Sequence, residues 1–112
     1  MTVTIYHNPK CSKSRTTLQL LRDNGVEPKI VEYLSDTPSM DELKKILKKL
    51  GLGPRDILRK KEAKEEGIKD SLDGDALIKK MVAHPRTIER PIVVNGNKAR
   101  MGRPPEQVLD II

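Results

Sequence analysis

The opening of the chain constrains the fold most. Thr2 to Tyr6 alternates like a strand, Asn8-Pro9 follows as a turn, and Ser12 to about Asn24 reads as a helix carrying Leu18, Leu20 and Leu21. Gly25 closes that helix as a C-cap. Lys29 to Tyr33, with Ile30 and Val31, reads as a second strand. Strand, helix and strand in this space make a βαβ unit, which normally gives parallel strands and a right-handed crossover.

The middle of the chain changes period. Ser39 as N-cap and Glu42 three residues later make a capping box, and Leu43, Ile46, Leu47 and Leu50 fall on one helix face that Gly51 ends. Pro54 suits the first turn of a short helix with Ile57 and Leu58, and Lys60 to Asp70 is charged and expected to be exposed. A helix from about Gly74 to Ala83 buries Leu77, Ile78, Met81 and Val82. After His84-Pro85 the period returns to two: Ile92-Val93-Val94 and Lys98 to Met101 flank Asn95-Gly96, a strong hairpin signal. Pro104-Pro105 opens a last helix with Val108, Leu109 and Ile112 as its stripe. The order β-α-β, three short helices, β-β-α is an α/β thioredoxin plan with a mixed four-stranded sheet. It is expected as one domain over residues 1–112, with a helical insertion at about 38–84.

With 112 residues, 36% apolar and no Phe or Trp, one core of Leu, Ile, Val and Met is expected. The alternating N-terminus lacks the pattern of a signal peptide. No run approaches the roughly 20 apolar residues of a membrane span. A soluble, cytoplasmic monomer with a reduced thiol is expected. The net charge of +6 fits nucleic acid, anionic small molecules or a solvated surface. Only Tyr6 and Tyr33 offer stacking rings, which argues against nucleic acid. One Cys with the distant His7 and His84 argues against a metal site.

Cys11, the single cysteine, stands where a strand gives way to a helix. A thiolate there meets free backbone N–H groups and the positive end of the helix dipole, and Lys10, Lys13 and Arg15 are expected to add positive charge. The thiol is therefore expected to ionise below its free value of about 8.5. Cys11 to Ser14 is Cys-x-x-Ser, so no internal disulfide forms and an outside thiol must resolve any Cys11 adduct, which points to glutathione or a glutaredoxin. Ser14 either bonds the thiolate or serves as a first-turn residue, and His7 is placed to orient the sulfur or to play a structural part. His84 reads as a partner of a helix C-terminus. Arg59, Arg90 and Arg103 stand at element ends, and their planar forks suit tetrahedral oxyanions. Each taken alone reads sooner as a solvated surface charge. Pro91 enters a strand at the position where a thioredoxin fold usually places a cis proline against the catalytic thiol.

Ile5-Tyr6-His7-Asn8-Pro9, Cys11, Ser14-Arg15, Leu58-Arg59-Lys60, Glu89-Arg90-Pro91-Ile92-Val93-Val94 and Gly102-Arg103-Pro104 together resemble the ArsC family of glutaredoxin-coupled arsenate reductases over nearly the whole chain. The likeness is closest to the short branch with Cys-Ser-Lys-Ser. It implies an oxidoreductase of arsenical resistance in which Cys11 is the nucleophile and Arg59, Arg90 and Arg103 bind the oxyanion, with His7 assisting the thiolate. It also implies glutathione as co-substrate, glutaredoxin as partner, arsenate or a related oxyanion as substrate, and no bound cofactor. Well-studied members carry Cys-Gly-Thr-Ser where this chain has Cys11-Ser12-Lys13-Ser14, and they extend beyond the final helix. The same Cys11 would serve a glutathione-dependent thiol-disulfide reductase or deglutathionylase. The fold also includes Spx-type regulators that bind RNA polymerase, but these typically have Cys-x-x-Cys, and Ser14 removes that switch.

Overall fold

A computed structural model describes residues 2–112. Its backbone contacts cluster into two units, Met1–Asp36 with Arg90–Ile112, and Thr37–Glu89.

The first unit holds the sheet. Strand β1 (Val3–His7) lies between β2 (Lys29–Glu32), parallel to it with Ile5 beside Ile30, and β3 (Ile92–Asn95), antiparallel with Ile5 beside Val93. β3 continues antiparallel into β4 (Lys98–Met101), giving the order β2-β1-β3-β4. The expected mixed four-stranded sheet of a thioredoxin-like α/β fold is therefore present. Helix α1 (Ser12–Asp23) joins β1 to β2 and ends at Asn24, with Gly25 at φ +80 where a side chain would be strained. Val3 and Ile5 from β1, Leu21 from α1, Val93 from β3, and Val108 and Ile111 form the core, flanked by Leu18, Leu20 and Val26.

Strand β1 alternates as its sequence does: Val3, Ile5 and His7 are buried while Thr4 and Tyr6 are half-buried. His7 thus takes a core position by parity alone. The terminal helix differs from expectation. It is a 3-10 helix, Pro105–Ile111, that buries Val108 and Ile111 and leaves Leu109 and Ile112 exposed. Three residues per turn puts 108 and 111 on one line, where an α-helical stripe would have chosen 108, 109 and 112.

The second unit is helical. Helix α2 (Met40–Leu50) begins where Ser39 Oγ accepts the Glu42 N–H at 3.1 Å and ends at Gly51 in the left-handed region, burying Leu43, Ile46 and Leu47. It packs on α4 (Gly74–Ala83), which buries Leu77, Ile78 and Met81. Val82, expected in the same face, is only half-buried. Between them run a 3-10 turn at Pro54–Ile57 and a helix over Lys60–Glu65, α3. The expected exposure of this charged stretch holds for most of its charged side chains, while Ala63 within the helix and Ile68 beyond it are buried. The unit closes where Leu58 bridges Ile88, the Arg59 N–H donates to Thr87 O at 2.8 Å, and the Glu89 N–H donates to Ile57 O at 2.7 Å. Among the described residues no helix is long and apolar enough to cross a membrane.

Candidate active site

Cys11 is the N-cap of α1, with extended backbone angles of −93 and 123 degrees. The turn before it is fixed by its own polar groups: Asn8 O accepts the Cys11 N–H and Asn8 Oδ1 accepts the Lys10 N–H, each at 3.0 Å. The sulfur is left half-buried over the first turn of the helix. There the backbone N–H groups of Ser14 and Lys13 donate to it, two of the donors a helix start cannot pair internally.

Two arginines from the far end of the chain complete the surroundings. Arg103 Nη2 lies 3.8 Å from Cys11 Sγ, and its Nε donates to Arg90 O at 2.8 Å, so one guanidinium is braced by the backbone of the other arginine. The Arg90 side chain acts on the thiol both by charge and by a hydrogen bond. Burial, the largest influence, pushes the Cys11 pKa up; the Ser14 N–H, the Arg90 charge and hydrogen bond and the Lys13 N–H together pull it below the ordinary thiol value. The expected contributions of Lys10, Lys13 and Arg15 are corrected accordingly. Their exposed side chains are screened by water and do not rank among the causes, and Lys13 acts through its backbone. Arg15 Nη1 instead donates to Pro9 O at 2.9 Å.

His7 and Ser14 form a second layer. Ser14 is fully buried; its Oγ lies 2.7 Å from His7 Nδ1 and accepts the Asn8 N–H at 3.1 Å. The Ser14 hydroxyl still holds its proton and a second lone pair, so it pairs with Nδ1 in either tautomer of a neutral ring. Burial first, against the charge of Glu32 and with those of Arg15 and Arg22, lowers the His7 pKa and favours that same neutral form. Ser14 therefore meets the sulfur with its backbone and His7 with its hydroxyl, and His7 reaches the thiol through Ser14.

The Arg90–Pro91 peptide is cis, as is Arg103–Pro104. Gly102, between β4 and Arg103, was quoted in the sequence only as part of a motif, yet it sets the spacing here. Its N–H donates to Pro91 O at 2.9 Å, and a Cβ there would stand 2.5 Å from Thr17 Oγ1 and 2.6 Å from Pro91 Cγ. Only glycine lets the backbone before Arg103 lie this close to α1. A Gly directly before Arg-Pro was the available signal.

Arg59 belongs to the second unit, where it precedes α3 and pairs with Glu62 at 3.1 Å and Glu89 at 3.9 Å. His84 caps the end of α4 as expected, and its Nδ1 lies 2.9 Å from Glu66 Oε2. A cavity of about 200 Å³ in this unit is lined by Leu58 and Lys60, which flank Arg59, with Arg55, Ala63, Ile68 and Asp70 among the rest, and by none of the candidate site residues.

The model of the ArsC family matches residues 6–111. The chain belongs to the ArsC family. It is 48% identical to an arsenate reductase of Haemophilus influenzae, with all of both chains covered. It is 54% identical to the uncharacterized protein YfgD of Escherichia coli over 98% of this chain and 96% of that protein. The solved structure of an arsenate reductase from Vibrio cholerae superposes with a TM-score of 0.93 at 51% identity, covering 100% of this chain and 98% of that one.

Proposed function

We propose that this ArsC-family chain is an arsenate reductase, with Cys11 as nucleophile and with glutathione and a glutaredoxin as reductants. The observation that carries this reading is the Cys11 sulfur at the start of α1, with Arg103 Nη2 at 3.8 Å and the Arg90 charge acting on it, in a chain so similar to proteins of that activity.

The Cys11 thiolate attacks arsenic; an S–As bond forms and an As–O bond breaks, the oxygen leaving as water after protonation. Glutathione adds through its sulfur in the same way, with loss of a second water. A glutaredoxin thiolate then attacks the glutathione sulfur, an S–S bond forms, and the electron pair of the S–As bond stays on arsenic, taking As(V) to As(III). Hydrolysis of the Cys11–As bond releases arsenite and restores the thiol. The forks of Arg90 and Arg103 suit the oxygens of the anion and of the intermediates it passes through. Pro91 and the Ser14–His7 pair hold the surroundings of the sulfur. The family likeness adds Arg59 to the oxyanion-binding set. These thiol reductants are those of a reducing cytoplasm, where this reading puts the protein.

The test is arsenate reduction coupled to glutathione and glutaredoxin, run beside reduction of a glutathionylated disulfide. Arsenite formation that is lost in Cys11→Ser and reduced in Arg90→Ala, Arg103→Ala and Arg59→Ala supports the reading. Turnover of the disulfide alone overturns it.

A further inference from the structure

The cations around Cys11 fall into two groups. Arg90 and Arg103 act on the sulfur itself. Lys10 and Lys13, within two residues of it on either side, are exposed, and among the described residues neither has an ion-pair partner. The first turn of α1 carries no acidic residue. Some other cations of this chain are paired, Arg22 with Glu27 at 3.0 Å, Lys44 with Asp75 at 3.1 Å and Arg86 with Glu65 at 2.9 Å, while lysines such as Lys45, Lys79 and Lys98 are exposed without an ion-pair partner among the described residues, so what marks Lys10 and Lys13 is their place beside Cys11. Arg15 is tied to the Pro9 carbonyl. Two exposed lysines without an ion-pair partner thus flank Cys11 along the chain.

We propose that Lys10 and Lys13 recruit an anionic thiol, a small peptide thiol with free carboxylates such as glutathione, to the Cys11 adduct. This rests on the reading of Cys11 as a nucleophile resolved by an outside thiol. The division of labour follows from distance and shape. An oxygen bonded to the atom under attack is within reach of the forked guanidiniums that already touch the sulfur. The carboxylates of a peptide thiol lie several bonds from its own sulfur, so the charges that meet them must stand away from Cys11. Lysine, a point charge on a flexible stem, suits a carboxylate that arrives without one fixed geometry. Consistent with this, neither ammonium ranks among the groups that set the ionisation of the thiol.

The experiment measures the second-order reaction of reduced Cys11 with three disulfides: oxidised glutathione, neutral hydroxyethyl disulfide and cationic cystamine. In each the thiolate attacks one sulfur, a mixed disulfide forms and one thiolate leaves. The proteins are the native chain, the Lys10→Ala/Lys13→Ala variant and the Lys10→Arg/Lys13→Arg variant, at low and physiological salt. The native chain is expected to favour the anionic disulfide over the neutral one. The alanine variant is expected to lower that ratio about fivefold and to disfavour the cationic disulfide less, and the arginine variant to keep the native ratio. Added salt should shrink the native preference. In arsenate turnover, the alanine variant is expected to raise KM for glutathione about fivefold more than KM for arsenate. The same charge ratio in the native and alanine proteins overturns the proposal, as does a rise in the two KM values in step, which would assign the lysines to the oxyanion. A native chain that keeps the charge preference but forms no arsenite overturns the arsenate reading alone.

Discussion

Burial works against ionisation of Cys11 and is the largest single influence on it, yet the Ser14 N–H, the Arg90 charge and hydrogen bond, and the Lys13 N–H together leave the thiol below its ordinary value. The rate of iodoacetamide alkylation against pH should therefore show a midpoint under about 8.5, and Arg90→Ala should move it upward. The sign carries over to stability. A thiol pKa lower in the folded chain than in the unfolded one adds stability that is fully present above the unfolded value and lost as pH falls through the folded one. Denaturation of the native chain and of Cys11→Ser should thus diverge as pH rises from the midpoint found by alkylation towards about 9 and keep a constant offset below it. His7, lowered first by burial, acts in acid. Its neutral form keeps full stability above about 6.5, and stability falls as pH drops from there through the folded value. That acid loss should be smaller in His7→Gln. The sequence pointed to an ionised Cys11 through its place at a helix start, which survives. It credited Lys10, Lys13 and Arg15, because adjacency along the chain is visible in a sequence and the approach of Arg90 and Arg103 is not.

At the scale of elements, a local signal was readable wherever the local chain decides the structure. Ser39 and Glu42 announce α2, and the Ser39 cap is present at 3.1 Å. Ser39→Ala should cost about 1 kcal/mol in urea denaturation. Helix α3 was missed because it has hardly any apolar period. Only Ala63 of its residues is buried. Glu65 and Glu66 at the end of the helix are held by Arg86 at 2.9 and 3.0 Å, and Glu66 also by His84 at 2.9 Å, partners some twenty residues away in sequence. Gly102 is the case where one atom decides how elements meet. A Cβ at 2.5 Å from Thr17 Oγ1 and 2.6 Å from Pro91 Cγ forces the end of β4 away from α1. Gly102→Ala should destabilise the fold by about 1–3 kcal/mol. Because Arg103 follows directly, the alkylation midpoint of Cys11 should rise in the same variant. A stability loss with an unmoved midpoint would separate Arg103 from the Gly102 contact.

For the molecule as a whole, the sheet unit is built from two stretches far apart in sequence, Met1–Asp36 and Arg90–Ile112. The hydrophobic period and the Asn95-Gly96 turn were enough to predict the strands themselves, and the element order a mixed sheet, but the pairing across this gap, with Ile5 against Val93, is carried by no local signal. The same holds for the site: Cys11 and Arg103 meet at 3.8 Å across 92 positions of chain, a proximity the sequence supplied through family likeness and through no spacing rule. This dependence makes a direct prediction. A fragment of residues 1–89 keeps β1, α1 and β2 but loses β3, β4, Val93, Val108 and Ile111, which is half the sheet and half the named core of that unit. Two paired strands with one helix bury too little apolar surface to hold together in water. In that fragment the N-terminal stretch should show no cooperative transition, α1 should fray, and the backbone donors at its start should be lost to Cys11 together with Arg90 and Arg103. The Cys11 alkylation midpoint should then return to about 8.5. A fragment that kept a lowered midpoint would mean that the helix start alone activates the thiol, and the two arginines would be left with the oxyanion as their only task.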